Sequence, residues 1–184
     1  GIILALPLDS KVRFLKSVKD LMESNIQKIV VFTLMILYGA KLASIEDVNK
    51  FKYIMSYRAF PRSCGKYTWG GVERPITEID KVAVGNPTLS KKDYLFCRAF
   101  SLTVTIFYND RILTSLHNFL RSQGVETFDY IFHLHSNLES APEDLRDFYE
   151  ELGKDIEAEL FDSKESLINN FEENVDDYLS EKLG

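Results

Sequence analysis

The chain opens on an unbroken apolar run, "IILALPL" at 2–8. A run this short and this apolar predicts a strand buried on both faces, as in a parallel sheet. Asp9 or Ser10 can then cap a helix. The next residues place Val12, Leu15, Val18, Leu21 and Met22 at helical spacing. "QKIVVFTLMIL" at 27–37 predicts a second buried strand, rich in Val and Ile. Strand, helix and strand in that order make a βαβ unit.

Ser44 caps a short helix over "IEDVNKFKYIMSY". "RAFPRSCGKYTWGGVERP" at 58–75 reads as a long irregular segment, with prolines, glycines and four cations. Its aromatic residues Phe60, Tyr67 and Trp69 argue for order. "EIDKVAVGN" at 78–86 predicts a third, shorter strand. From Ser90, a good N-cap, a long helix is expected. Tyr94, Arg98, Ser101, Thr105 and Tyr108 form a narrow polar stripe on it, and apolar residues fill the other sides. "SLTVTIF" alone would pass for a strand, and the longer stripe decides for helix. Further helices are predicted at about 110–123, 126–137, 142–161 and 163–182.

Charge divides the chain. Residues 138–184 carry 16 Asp/Glu and 4 Lys/Arg, against a total charge of −6 that leaves the preceding residues at +6. The basic part is too sparse for a nucleic-acid surface. The acidic part predicts solvated helical faces. The change of charge predicts a domain or subdomain boundary at 137–142. The longest apolar run, 29–38, is about half the length a membrane span needs. The N-terminus lacks the basic flank and small-residue cleavage site of a signal peptide. Because it opens inside a strand, a fragment of a longer protein is expected. Two cysteines without a C-x-x-C make reduced thiols in a cytoplasmic protein the plain reading.

Candidate chemistry is thin. His133 and His135 stand about 200° apart on a helix, so one metal cannot take both. Cys97 lies among aromatics as a small core hydrophobe. Cys64 lies between Arg62 and Lys66, which favour a thiolate. The best signal is the segment itself. Arg58, Arg62, Cys64, Tyr67 and Arg74 offer guanidinium and aromatic groups suited to an anionic or planar small-molecule substrate. The plainer alternative is that its arginines pair with carboxylates.

Taken in order, "IILALPLDS", "IVVFTLMILYGAKLAS", "FKYIMSYRAFPRSCGKYTWGG", "TEIDKVAVGNPTLSKKDYLFCRAFSLTVTIFYND" and "GVETFDYIFHLH" resemble the C-terminal half of cobalamin-dependent radical S-adenosylmethionine (radical SAM) proteins. The resemblance covers residues 2–137. It implies an α/β fold: two or three parallel strands of a partial TIM-like barrel over 1–87, a helical extension over 88–137 and an acidic helical tail over 138–184. In that family three cysteines of a C-x-x-x-C-x-x-C loop hold a 4Fe-4S cluster, and S-adenosylmethionine chelates the open iron. Neither Cys64 nor Cys97 fits that spacing. The cluster, S-adenosylmethionine and cobalamin are therefore expected of the parent protein, and the chain alone is expected to be inactive.

Carried onto this sequence, "GIILALP" matches the late barrel strand beside S-adenosylmethionine, with Ala5 where the family often has glycine and Gly1 where it often has an acid. "LMILYGAKL" matches the loop against the adenine, which implies contacts from Leu34, Met35, Leu37 and Gly39. The helix over 89–110 would close off the barrel. An incomplete barrel exposes apolar strand faces, so self-association is expected. A different class remains open: a binding or scaffold module whose acidic helices dock a partner.

Overall fold

The computed structural model describes residues 1–180 and 182. The end of the expected last helix, at 181, and residues 183–184 of the acidic tail lie outside the described residues.

The βαβ unit forms as predicted. Strand β1 (Ile2–Leu4) pairs in parallel with β2 (Val31–Thr33), with Ile2 opposite Val31 and Leu4 opposite Thr33. Helix α1 (Lys11–Glu23) joins them. Ser10 caps α1 by accepting from the Arg13 amide, and Phe14, Val18 and Met22 face the core. The strands are shorter than the apolar runs that predict them. After Leu4 the backbone leaves the extended region at Ala5, whose φ is +71°. After Thr33 the chain turns to a new partner: the Leu34 carbonyl accepts from the Ala83 amide, and the Ile36 amide donates to the Lys81 carbonyl.

That partner is β6 (Ile79–Gly85), the third predicted strand. It is not parallel to the others. Met35 bridges Val82 in antiparallel sense, and β6 pairs antiparallel with β3 (Ile54–Ala59). Among the described residues β1 and β2 are two parallel strands, the lower bound of the expected two or three, while the third predicted strand joins antiparallel, so the architecture is mixed α/β.

β3 itself replaces part of a predicted helix. Helix α2 (Ile45–Phe51), capped by Ser44, stops at Lys52, which adopts the left-handed conformation at φ 48°. The strand that follows has its far edge taken by Phe161: Tyr57 and Phe161 exchange both backbone hydrogen bonds at 2.8 Å. The segment expected to be irregular holds a hairpin, β4 (Gly65–Trp69) and β5 (Val72–Ile76). Gly70 and Gly71, both with positive φ, make its two-residue turn, a conformation that glycine adopts without a Cβ penalty. Pro75 is tolerated because the hairpin has no further strand among the described residues to receive an amide.

Helix α3 (Lys91–Phe107) runs as predicted, with Ser90 as its cap and Tyr94, Cys97, Phe100 and Val104 buried. Around it stand α4 (Thr114–Ser122), α5 (Thr127–Ser136) and α6 (Glu143–Ala158). The last predicted helix is broken at Asn174 into α7 (Lys164–Glu173) and α8 (Val175–Leu179). The main core takes residues from β1, α1, β6, α3 and α5, together with Leu160 after α6. A smaller cluster of Ala59, Leu167, Phe171 and Tyr178 fixes α7 and α8 on β3. Helix α6 thus carries the acidic charge on a face opposite to Tyr149 and Ile156, which are buried. No helix of the described residues is long and apolar enough to cross a membrane.

Candidate functional site

The polar stripe of α3 leads to the site. Tyr94 and Arg98 are one turn apart, and both reach the last residue of β2. The Thr33 hydroxyl lies 3.1 Å from the Tyr94 hydroxyl, and Arg98 Nη1 donates to both oxygens, at 3.1 and 3.2 Å. The other end of the Arg98 fork meets Glu159 Oε1 at 3.1 Å. Glu159 closes α6, and it also stands 3.7 Å from Arg58 Nη1. Arg58 and Asp80 are cross-strand neighbours on β3 and β6, with Nη2 to Oδ2 at 3.5 Å.

The charges therefore alternate, Asp80, Arg58, Glu159, Arg98, and their side chains are 13–23% exposed. Burial works against the Arg98 charge, but Tyr94 and Glu159 outweigh it and hold the guanidinium above its ordinary value. The Arg58 contacts are ion pairs rather than full hydrogen bonds, and its buried Nε–H has no hydrogen-bond partner among the described residues. A buried guanidinium donor without an acceptor costs stability, so an acceptor supplied by a ligand would be gained cheaply here.

Both arginines line a groove of about 550 Å³ beside β2. Its walls carry Lys28, Arg58 and Arg98, the hydroxyls of Thr33, Ser101 and Thr105, and the apolar side chains of Leu102, Leu152 and Ile156. No carboxylate lines it among the described residues. Glu159 instead lines a neighbouring cavity of about 450 Å³, on the far side of Arg98. At the near end Asn109 plugs the strand edge: its side-chain amide donates to the Ile29 carbonyl at 2.8 Å and accepts from the Ile29 amide at 2.9 Å. Beyond Asn109 the β2 edge has no strand neighbour among the described residues. The arrangement suits an organic anion with an apolar body, its charged group at Arg58 and Arg98.

The residues expected to bind substrate are spread over four places. Arg58 lines the groove. Arg62 lies in the turn before the hairpin, at φ 63°. Cys64 is half-buried against the minor cluster, its thiol 3.1 Å from the Thr77 hydroxyl. Tyr67 and Arg74 are cross-strand partners on the hairpin, where Tyr67 is 58% exposed. Leu34, Met35, Leu37 and Gly39, expected at the cofactor, follow β2 in one segment. Leu34 is buried between β1 and β6, Met35 and Leu37 are exposed, and Gly39 sits at φ +81° in an exposed turn. Arg98 and Thr105 were visible as a stripe. Asp80 and Glu159 were not, because the β3–β6 register and the return of α6 bring them in.

The other candidates resolve into packing. Burial, reinforced by Asp9, pushes the Cys97 thiol up to about 12, that of an inert core residue. His133 is exposed while His135 is buried, so the two point apart as their spacing requires. The His135 Nδ1 lies 2.8 Å from the Thr103 hydroxyl, which is 2.7 Å from that of Tyr149. This chain of buried polar groups ties α3, α5 and α6 together. Among the described residues no group of His, Cys, Asp and Glu is placed to hold a metal ion.

In comparison with known proteins, no family model matches the chain and no curated protein is significantly similar to it.

Proposed function

We propose that this chain is the C-terminal, substrate-binding part of a cobalamin-dependent radical SAM enzyme, acting in the cytoplasm on an unactivated carbon of a small molecule. Ala5 carries this reading. It ends β1 fully buried, at φ +71°, a conformation that favours glycine. It is also the position where the resembled family often has glycine. An alanine that keeps a glycine conformation at the carboxyl end of a parallel strand fits a backbone shaped for close approach to a ligand.

The face of the β1–β2 pair supports the same reading. Ile3 and Phe32 are register partners, 43% and 57% exposed. Parallel strands ordinarily have both faces covered. An apolar face left open on a parallel pair fits strands that belong to a larger sheet.

The two thiols of this chain do not fit a 4Fe-4S cluster. Cys64 and Cys97 belong to different hydrophobic clusters, and their neighbours offer no third thiolate. The cluster, S-adenosylmethionine and cobalamin would be held mainly by the rest of the parent protein, and they would supply the radical and the transferred or rearranged carbon. The part left to this chain is binding and orientation. Arg58 and Arg98 hold the anionic end of the substrate, Leu102, Leu152 and Ile156 exclude water from its body, and the segment 34–39 shapes the end of the strands.

The scaffold alternative draws less support. Tyr149 and Ile156 of α6 and Leu167 and Phe171 of α7 are already buried within this chain, which leaves Phe148 as the large apolar residue of these helices that is exposed.

The test is anaerobic reconstitution, with iron, sulfide and cobalamin, of the natural reading frame that contains this chain. The expected result is a 4Fe-4S chromophore and reductive cleavage of S-adenosylmethionine. A reading frame that encodes no cluster motif would end the proposal.

A further inference from the structure

Away from the β2 groove, a second and smaller cavity of about 220 Å³ opens between the end of α1 and the start of α4. Thr114, His117, Asn118 and Arg121 fall at steps of 3, 1 and 3 along α4, so they share one face of the helix. Arg111 joins them from the turn before the helix, and Gln27 from the turn after α1. The lining is polar and positive, and no carboxylate lines it among the described residues.

Three observations set this cavity apart from an ordinary basic surface. First, His117 is 94% removed from solvent, by its 6% exposure, and its buried Nε2 has no hydrogen-bond partner among the described residues. A buried ring nitrogen is normally satisfied. Second, the ring is held in place: it stacks on Tyr108 at 6.3 Å and meets the edge of Tyr130 at 6.4 Å. Tyr108 is itself fixed by donating to the Ile26 carbonyl at 2.6 Å. Third, Arg111 and Arg121 form no ion pair with any other described residue, although the chain as a whole is acidic. Arg121 donates only to Asn118 Oδ1, at 2.8 Å, which orients its fork. Both guanidiniums act electrostatically on the Tyr108 hydroxyl, and Arg121 acts on His117, so the charges converge.

We propose that this cavity binds the phosphate group of a small polar organic phosphate, with Arg111 and Arg121 on the phosphate oxygens and His117 Nε2 as a fixed hydrogen-bonding partner. Burial and the nearby Arg121 hold the His117 imidazole below its ordinary value, so it is neutral at pH 7 and can present Nε2–H. Two guanidinium forks and a third donor exceed what the two oxygens of a carboxylate can accept in one plane. They match the three acceptor oxygens of a phosphate monoester. The polar lining and the volume suit a body the size of a sugar rather than an acyl chain. The site is independent of the groove and of the radical reading.

The test uses the full chain, with the ring signals of His117 followed by NMR at constant ionic strength. The probes are inorganic phosphate, glucose 6-phosphate, succinate and glucose. The expected result is a saturable shift of His117 with both phosphates, and binding of each at least tenfold tighter than succinate. Glucose should leave the ring unmoved. Arg111→Gln and Arg121→Gln replace exposed side chains and should keep the melting temperature, while each weakens phosphate at least tenfold. Equal binding of succinate and phosphate would overturn the phosphate assignment. No saturable shift of His117 with any anion, or unchanged phosphate affinity in both variants, would overturn the site.

Discussion

Replacing Arg98 by methionine is expected to destabilise the chain by about 3 kcal/mol, the size of loss seen when one partner of a buried ion pair is removed. Methionine keeps the apolar stem and removes the fork. Glu159 then keeps only the longer Arg58 contact at 3.7 Å, inside a cluster that is largely shielded from water. The Thr33 and Tyr94 hydroxyls keep each other but lose their shared donor. Urea unfolding should show this loss, and the melting temperature should fall by about 6–12 °C for a chain of this size. Adding Glu159→Gln to Arg98→Met should recover part of it, because the uncompensated carboxylate is gone. A loss below about 1 kcal/mol for the single variant would mean that the cluster behaves as an exposed surface pair. The groove would then lack the rigid charged end on which its reading as an anion site depends.

The second large effect is on pH dependence. Burial, with help from Lys11, lowers the His135 imidazole to about 4. Its ordinary value is about 6.5, so the unfolded chain takes up a proton before the folded one does. Above pH 6.5 both states are neutral at this residue, and its full contribution is present. As pH falls from 6.5 to 4 the unfolded state is favoured progressively, and below 4 the loss is complete. The total is about 3 kcal/mol. His135→Phe fits among Phe96, Phe100 and Tyr149, whose rings surround the imidazole at 4.9–5.9 Å. The variant leaves the Thr103 hydroxyl bonded to Tyr149. Urea midpoints from pH 7.5 to 4.5 should therefore fall steeply for the wild type and much less for His135→Phe. Parallel slopes for the two would show that other groups, the acidic helices first among them, set the acid sensitivity.

What the sequence reveals of this fold follows from how local each signal is. The βαβ unit and α3 were legible because their apolar period is long and a serine stands at each helix start. Ser10, Ser44, Ser90 and Ser163 all cap as expected. β3 was not legible. Its Ile54 and Met55 continue the apolar spacing of α2, and what makes it a strand is distant: β6 on one edge and Phe161, a hundred residues on, at the other. The hairpin had a local signal, the Gly70–Gly71 pair between Trp69 and Val72, hidden by the prolines and arginines around it. The site divides in the same way. The α3 stripe pointed to Arg98, Ser101 and Thr105, all of which line the groove, whereas Tyr108 at its end serves the Ile26 carbonyl instead. The grouping of Arg58 with Arg62, Tyr67 and Arg74 followed sequence proximity. In space Arg58 belongs with Asp80 and Glu159, and the alternation of β3 turns it away from the hairpin.

The reading of the chain as the substrate-binding part of a larger radical enzyme has one simple physical consequence, the size of the native polypeptide. An immunoblot raised against this chain, run on an extract of the cells that make it, measures that size. A band far above the 21.2 kDa of this sequence is expected, since the proposed parent enzyme would carry the cluster loop in addition to this part. A single band at 21.2 kDa would contradict the proposal, because the chain's own two thiols cannot hold the cluster.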